Sequence, residues 1–153
     1  MKLHEINLNA SVVANSLGRF YCGPLLLASE VRLKLPDEGK SPSAHTRITI
    51  GQDHPLVQMN GGMIPEFLLT QFARQLGMLL LESREHSPSL QSAPGMPLVR
   101  FTEGGTEEPG TFDFEVVPVV RESLSWRFLA LARRQGKGIG SIWQFVLNTH
   151  EFS

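Results

Sequence analysis

Cysteine is all but missing. Cys22 is the sole one in 153 residues, so neither an internal disulfide nor a zinc ribbon can form. An excess of one charge is missing too: 14 Lys and Arg stand against 15 Asp and Glu. Without a basic run, the chain is not a nucleic-acid binder held by phosphate contacts. No apolar run reaches membrane-spanning length, because the longest greasy stretch, residues 64–81, is interrupted by Glu66, Gln71, Arg74 and Gln75. Met1 to Asn9 carries charge and has no apolar core of the kind a signal peptide needs. The histidines, His4, His45, His54, His86 and His150, show no metal-ligand spacing, so no metal or other cofactor is expected. There is no Gly-x-Ser-x-Gly elbow, and the Gly-rich run 136–140 sits between strand-like segments, where it reads as a hairpin turn and not a phosphate loop. These absences point to a cytoplasmic protein that binds neither nucleic acid nor membrane.

What is present is enough for one packed core. Hydrophobic residues make up 41% of the chain, and the length suits a single domain over 1–153. Three stretches rich in Pro, Gly and Ser read as loops: 35–43, 86–95 and 103–110. Pro24 to Leu35 begins as an apolar run and ends in alternation at Val31, Leu33 and Leu35, the period of a half-buried strand. His45 to Ile50 is β-branched and strand-like. Ile64 to Glu82 differs in kind: its apolar residues cover more than one helical stripe, as in a buried helix. Pro65 suits the first turn, where its missing N–H would have had no partner, and Glu66 complements the positive end of the dipole. Leu98–Thr102, Thr111–Val120, Ser125–Gln135 and Ser141–Asn148 then read as strands, the last three joined by short turns in an antiparallel meander.

A single buried helix (about 65–82) needs a wrapper, and a curved antiparallel sheet is the simplest one. The expected class is therefore α+β, a hot-dog fold. Such a sheet has an open edge, and pairing two copies removes that liability, so a homodimer is expected.

The residues around the helix carry a resemblance. Gly62-Met-Ile-Pro-Glu-Phe-Leu-Leu-Thr-Gln-Phe-Ala-Arg-Gln-Leu-Gly77 resembles the loop-into-helix segment of the β-hydroxyacyl-[acyl carrier protein] dehydratases. In that family a His-Phe-Pro-Gly loop leads through a short apolar step and Pro-Gly into the central helix, which carries an acidic residue and a later Gln. His54-Pro55 stands in the loop, Met63-Ile64-Pro65 matches the step, and Gln75 matches the later Gln. Leu17 to Val31 looks like the family's first-strand region. The similarity spans roughly residues 10–150. It departs in four places: Gln71 replaces the helical carboxylate, Glu66 replaces the Gly after the proline, Ser29 replaces an acid, and about three residues, including Asn60-Gly61-Gly62, are extra.

The resemblance implies a 3-hydroxyacyl thioester, on acyl carrier protein or coenzyme A, in a fatty-acid- or polyketide-type pathway. It implies His54 as the base for the α-proton, Gln71 as a hydrogen-bonding orienter, the Glu66 N–H as a donor to the thioester carbonyl, and Pro65 and Gln75 beside the substrate. A histidine suits the base, its pKa lying near neutrality, whereas Gln71 cannot transfer a proton. Two other readings stay open: an acyl thioesterase on the same fold, and a non-catalytic partner subunit that holds the carrier or forms a heterodimer with an active homologue. Blander roles stand beside these. Gln71 and Gln75, four apart on one helical face, either bond nearby backbone or line a pocket. Phe67, Phe72, Trp126, Phe128, Trp143 and Phe145 read as core, and Cys22 as a small buried group. Arg32, Lys34, Arg133 and Arg134 form either a basic rim for a phosphopantetheine or carrier, or a solvated surface.

Overall fold

A computed structural model describes residues 3–19, 21–36, 41–83, 87–92, 98–101, 108–121, 125–135 and 141–150. The chain opens with strand β1 (Leu3–Leu8) and helix α1 (Ala10–Leu17). Asn9 caps α1 by accepting the Val12 N–H at 2.9 Å, which satisfies one of the helix's orphan donors. Only Val13 and Leu17 of α1 are buried, so a single narrow stripe seats it. A 3₁₀ turn (Gly23–Leu25) leads to β2 (Val31–Pro36) and β3 (Ser43–Ile50). The strand expected from Pro24 therefore starts later. Pro24 lies in the turn, its fixed φ and missing N–H suiting a turn better than a ladder.

Helix α2 (Pro55–Met59) is one short turn, and α3 (Glu66–Ser83) is the long helix. The described residues hold three helices where one was expected, and α3 is the long one, the one that fills the core. Between α2 and α3 the chain reverses on Gly61 and Gly62, at φ of 68° and 86°, a left-handed region that side chains with a Cβ avoid. Five strands follow: β4 (Ser87–Ser92), β5 (Leu98–Phe101), β6 (Gly110–Arg121), β7 (Ser125–Arg134) and β8 (Ser141–His150).

The strands form one antiparallel sheet in the order β1-β2-β3-β6-β7-β8-β4, with β5 also on β8. Ser87 pairs with His150 and Phe101 with Ser141, so β4 and β5 lie end to end along β8 as one interrupted strand. Part of the expected loop 86–95 is therefore sheet. Its Pro88 is tolerated because a position flanked by a strand on one side only can lack an N–H. The hairpin expected at 136–140, most of the loop at 103–110 and the Trp143 side chain lie outside what is described.

One face of the sheet meets α3. Phe112, Phe114 and Val116 of β6, Phe128, Ala130 and Ala132 of β7, and Phe145 and Leu147 of β8 are buried with Leu68, Phe72, Leu76 and Leu79 of the helix. The alternation along β6 and β7 is that of a sheet with one covered face. Phe72 packs edge-on against Phe114, ring centroids 6.4 Å apart at 80°, while Trp126, Phe128 and Phe145 stack in a row. Ala130 and Ala132 let the helix approach the sheet closely. Phe67, read as core, is instead 49% exposed: α3 has a face the sheet does not reach.

Candidate functional site

That uncovered face begins with exposed Phe67, with exposed Met63 in the segment just before the helix, and runs through half-buried Thr70, Gln71 and Arg74. Spacings of three and four residues keep these side chains on one side of a helix. Tyr21, between α1 and the 3₁₀ turn, lies against it. The Tyr21 hydroxyl donates to Gln71 Oε1 at 2.8 Å. This contact is part-buried, so its polar end borders accessible space. The Gln71 amide N–H groups make no hydrogen bond among the described residues.

Arg74 stands one turn further on. Its Nη2 is buried and has no hydrogen-bond partner among the described residues. Burial pushes the Tyr21 phenol above its ordinary range, and the Arg74 charge pulls in the opposite direction more weakly. A cation near a phenol favours its ionised form.

Gln75, also matched to the family motif, is fully buried. Its Oε1 accepts the Leu27 N–H at 2.7 Å, and its Nε2 donates to Leu25 O at 2.7 Å and Gln71 O at 3.1 Å. A glutamine amide has two N–H groups and an acceptor oxygen, and here each has a protein partner. Gln75 thus fastens the segment after the 3₁₀ turn to α3, which fixes Tyr21 a few residues upstream.

His54 belongs to a separate set of hydrogen bonds. It caps α2, with Nδ1 accepting the Leu56 N–H at 3.2 Å and its carbonyl accepting from Val57 and Gln58. An Nδ1 that accepts leaves the proton of the neutral ring on Nε2. Among the described residues no hydrogen bond joins His54 to Tyr21, Gln71 or Gln75. Pro65 is half-buried just before α3, its carbonyl accepting the Leu68 N–H at 3.0 Å. Glu66 begins the helix, so its N–H is one of the first-turn donors that a helix leaves without an internal partner.

The sequence did not mark Tyr21 or Arg74 as site residues. Tyr21 and Gln71 are 50 residues apart, and the signals were that Tyr21, the chain's one tyrosine, falls in the segment matched to the family's first-strand region and that Arg74 stands on the helical face next to Gln71. Cys22, expected to be buried, is exposed, because it sits on the rim of the turn. The basic rim is not one cluster: Arg32 pairs with Glu5 at 3.4 Å, and Arg134 lies over the Phe112 ring at 5.1 Å and donates to Pro109 O. A separate polar hollow of about 530 Å³ is lined by Asn7, Glu30, Arg32, His45, Arg47 and Asp113, among others. Arg47 and Asp113 already pair across it at 2.7 Å. Among the described residues no helix is long and apolar enough to cross a membrane, and no group of His, Cys, Asp and Glu is placed to hold a metal.

Comparison of the backbone with solved structures gives the architecture a name. It is similar to a Lactococcus lactis protein, yhdA, proposed to be a thioesterase (TM-score 0.60, 7% identity, covering 78% of this chain and 91% of that one). The fold is the hot-dog fold. A dehydratase heterocomplex, ApeI:P of Xenorhabdus doucetiae, is also similar (TM-score 0.59, 13% identity, 86% and 87% covered). So is a Streptococcus pneumoniae protein, a hypothesised thioesterase solved with coenzyme A (TM-score 0.55, 9% identity, 78% and 85% covered). No family model and no curated protein matches the sequence. At these identities the likeness shows the shared fold.

Proposed function

We propose that the chain is a single hot-dog domain that binds and dehydrates a 3-hydroxyacyl thioester, carried on acyl carrier protein or coenzyme A. The observation that carries this reading is the Tyr21–Gln71 hydrogen bond at 2.8 Å on the uncovered face of α3. It leaves the free Gln71 amide N–H groups at the place where the resemblance puts the helical acid, beside exposed Phe67 and Met63. An apolar strip that ends in polar donors suits an acyl chain with a hydroxyl and a carbonyl at its head.

In this reading His54 takes the α-proton. To do so at Nε2 the ring must carry its proton on Nδ1 and release the Leu56 N–H, at a cost of about 0.5–1.5 kcal/mol, the net worth of one such bond. Gln71 orients the substrate's oxygen, and the Glu66 N–H is offered to the thioester carbonyl. Gln75 acts as a positioning residue. The chain pairs with a second copy, or with an active homologue, so that the exposed sheet edge is covered.

Two other readings have specific support. The coenzyme A in the similar pneumococcal structure favours a thioesterase. The dehydratase heterocomplex, together with the non-ionising Gln71, favours a carrier-binding subunit that works beside an active partner. Incubating the protein with 3-hydroxyacyl carrier-protein and coenzyme A thioesters, while following enoyl product and free thiol, separates all three. Dehydration predicts enoyl product that falls about 10²–10⁴-fold in His54→Ala and rises in Gln71→Glu. Thiol release without enoyl product selects the thioesterase. Carrier binding without turnover selects the partner subunit.

A further inference from the structure

Losing water from a 3-hydroxyacyl thioester requires an acid for the departing hydroxyl, and Gln71 cannot supply one. Among the described residues Tyr21 is the proton-bearing group bonded to Gln71. It lies at the Gln71 amide, its hydroxyl bears a proton at neutral pH, and the contact between them is part-buried, not sealed. Its surroundings also suit what remains after the proton leaves. Arg74 is close enough for its charge to act on Tyr21, and its buried Nη2 has no hydrogen-bond partner among the described residues. The amide of Gln71 can present its oxygen to a phenol or, turned over, its N–H to a phenolate.

We propose that Tyr21 is the proton donor of this site, with Gln71 positioning its hydroxyl and Arg74 holding the charge left behind. The inference rests on the dehydratase reading. His54 takes the proton from C2, and the electron pair of that C–H bond becomes the C2=C3 double bond. The C3–O bond breaks, its oxygen receives the Tyr21 proton, and water leaves. Tyr21 is then a phenolate beside the Arg74 guanidinium, and His54 is an imidazolium. Proton return through solvent resets both, so no oxidant or reductant is needed.

Among the described side chains, the charged groups of α3 are Arg74 and, at the far end, Glu82, which is bonded to Ser16 and Arg19; Glu66 is the first residue of the helix, and α1 contributes no titratable side chain. Tyr21 is also the only tyrosine, so the near-ultraviolet rise of tyrosinate on alkaline titration reports this residue alone. The test titrates the wild type, Arg74→Met and Tyr21→Phe, and measures enoyl formation by each across pH. The expected titration midpoint lies above the ordinary tyrosine value of about 10 and moves higher in Arg74→Met. Tyr21→Phe is expected to lose about 10²–10⁴ in kcat, with KM little changed and the alkaline fall in kcat abolished. An unchanged urea midpoint shows that this variant is folded. Wild-type turnover that survives in Tyr21→Phe overturns the proposal alone, as does a midpoint indifferent to Arg74→Met. A wild-type protein that makes no enoyl product overturns the dehydratase reading and this inference with it.

Discussion

Gln75 Oε1 accepts the backbone N–H of Leu27 at 2.7 Å, and this buried bond holds the segment that carries Tyr21 against the central helix. The same amide donates to Leu25 O. The clamp closes a gap of 48 residues in the chain, so it is a tertiary device with no local substitute.

Removing it has a definite consequence. Gln75→Leu leaves the Leu27 N–H and the Leu25 carbonyl without partners, at about 1–3 kcal/mol for each unsatisfied group, so about 2–6 kcal/mol of stability is expected to disappear. Gln75→Glu keeps the acceptor but sets a carboxylate against Leu25 O. Its folded pKa is then raised, so its contribution is present at acid pH and lost as pH rises through that pKa. Urea unfolding at several pH values checks both, and a Gln75→Leu midpoint equal to wild type would show that the clamp is idle.

Gly77 faces β8 where α3 packs tightly on it. A Cβ there would lie 3.0 Å from Leu147 Cδ1 and 3.1 Å from Phe145 Cε2. Gly77→Val is expected to destabilise by about 1–3 kcal/mol through overpacking. In Gly77→Ala the crowding is opposed by a helix-propensity gain of about 1 kcal/mol, so that variant should lie near wild type. The ordering of the two urea midpoints, at unchanged slope, is the check.

His45 gives the fold an acid-sensitive point. It bonds Ser43 Oγ at 2.9 Å, and burial, only partly opposed by Glu115, holds its pKa below the ordinary value. A depressed histidine contributes stability that is present above the unfolded value of about 6.5 and is lost as pH falls through the folded one. Wild type should therefore lose more stability than His45→Asn between about pH 7.5 and about pH 5. Parallel losses in the two proteins would remove His45 from the account.

The parts of this molecule legible in the sequence are those set by one-dimensional pattern. The apolar coverage of 64–82 marks α3, and alternation marks β6, β7 and β8, because each buries its own periodic face against the core. Helix α1 was less legible: Asn9 is a good cap, but only two of its residues are buried, too few to make a pattern. Strand β4 hid among Ser and Pro because an edge strand is held by backbone bonds that any sequence can make. The site divides the same way. Gln71 and Gln75 were found by motif, whereas their roles come from the segment at 21–27, which no local pattern ties to the helix.

Arg74 offers the sharpest separation of structure from function. A buried guanidinium end without a partner is unfavourable for folding, at about 1–3 kcal/mol for such a group, yet Arg74 Nη2 at the edge of the candidate site has none among the described residues. If Arg74 serves the Tyr21 phenolate, Arg74→Met retains the aliphatic stem, removes the orphaned group, and gives a protein as stable as wild type or more so. Enoyl formation should fall in that same variant. Groups held for chemistry at the expense of stability show this opposition, while a structural arginine shows the reverse. A lower urea midpoint for Arg74→Met, with turnover unchanged, would make Arg74 a packing residue and leave the Tyr21 phenolate without its counter-charge.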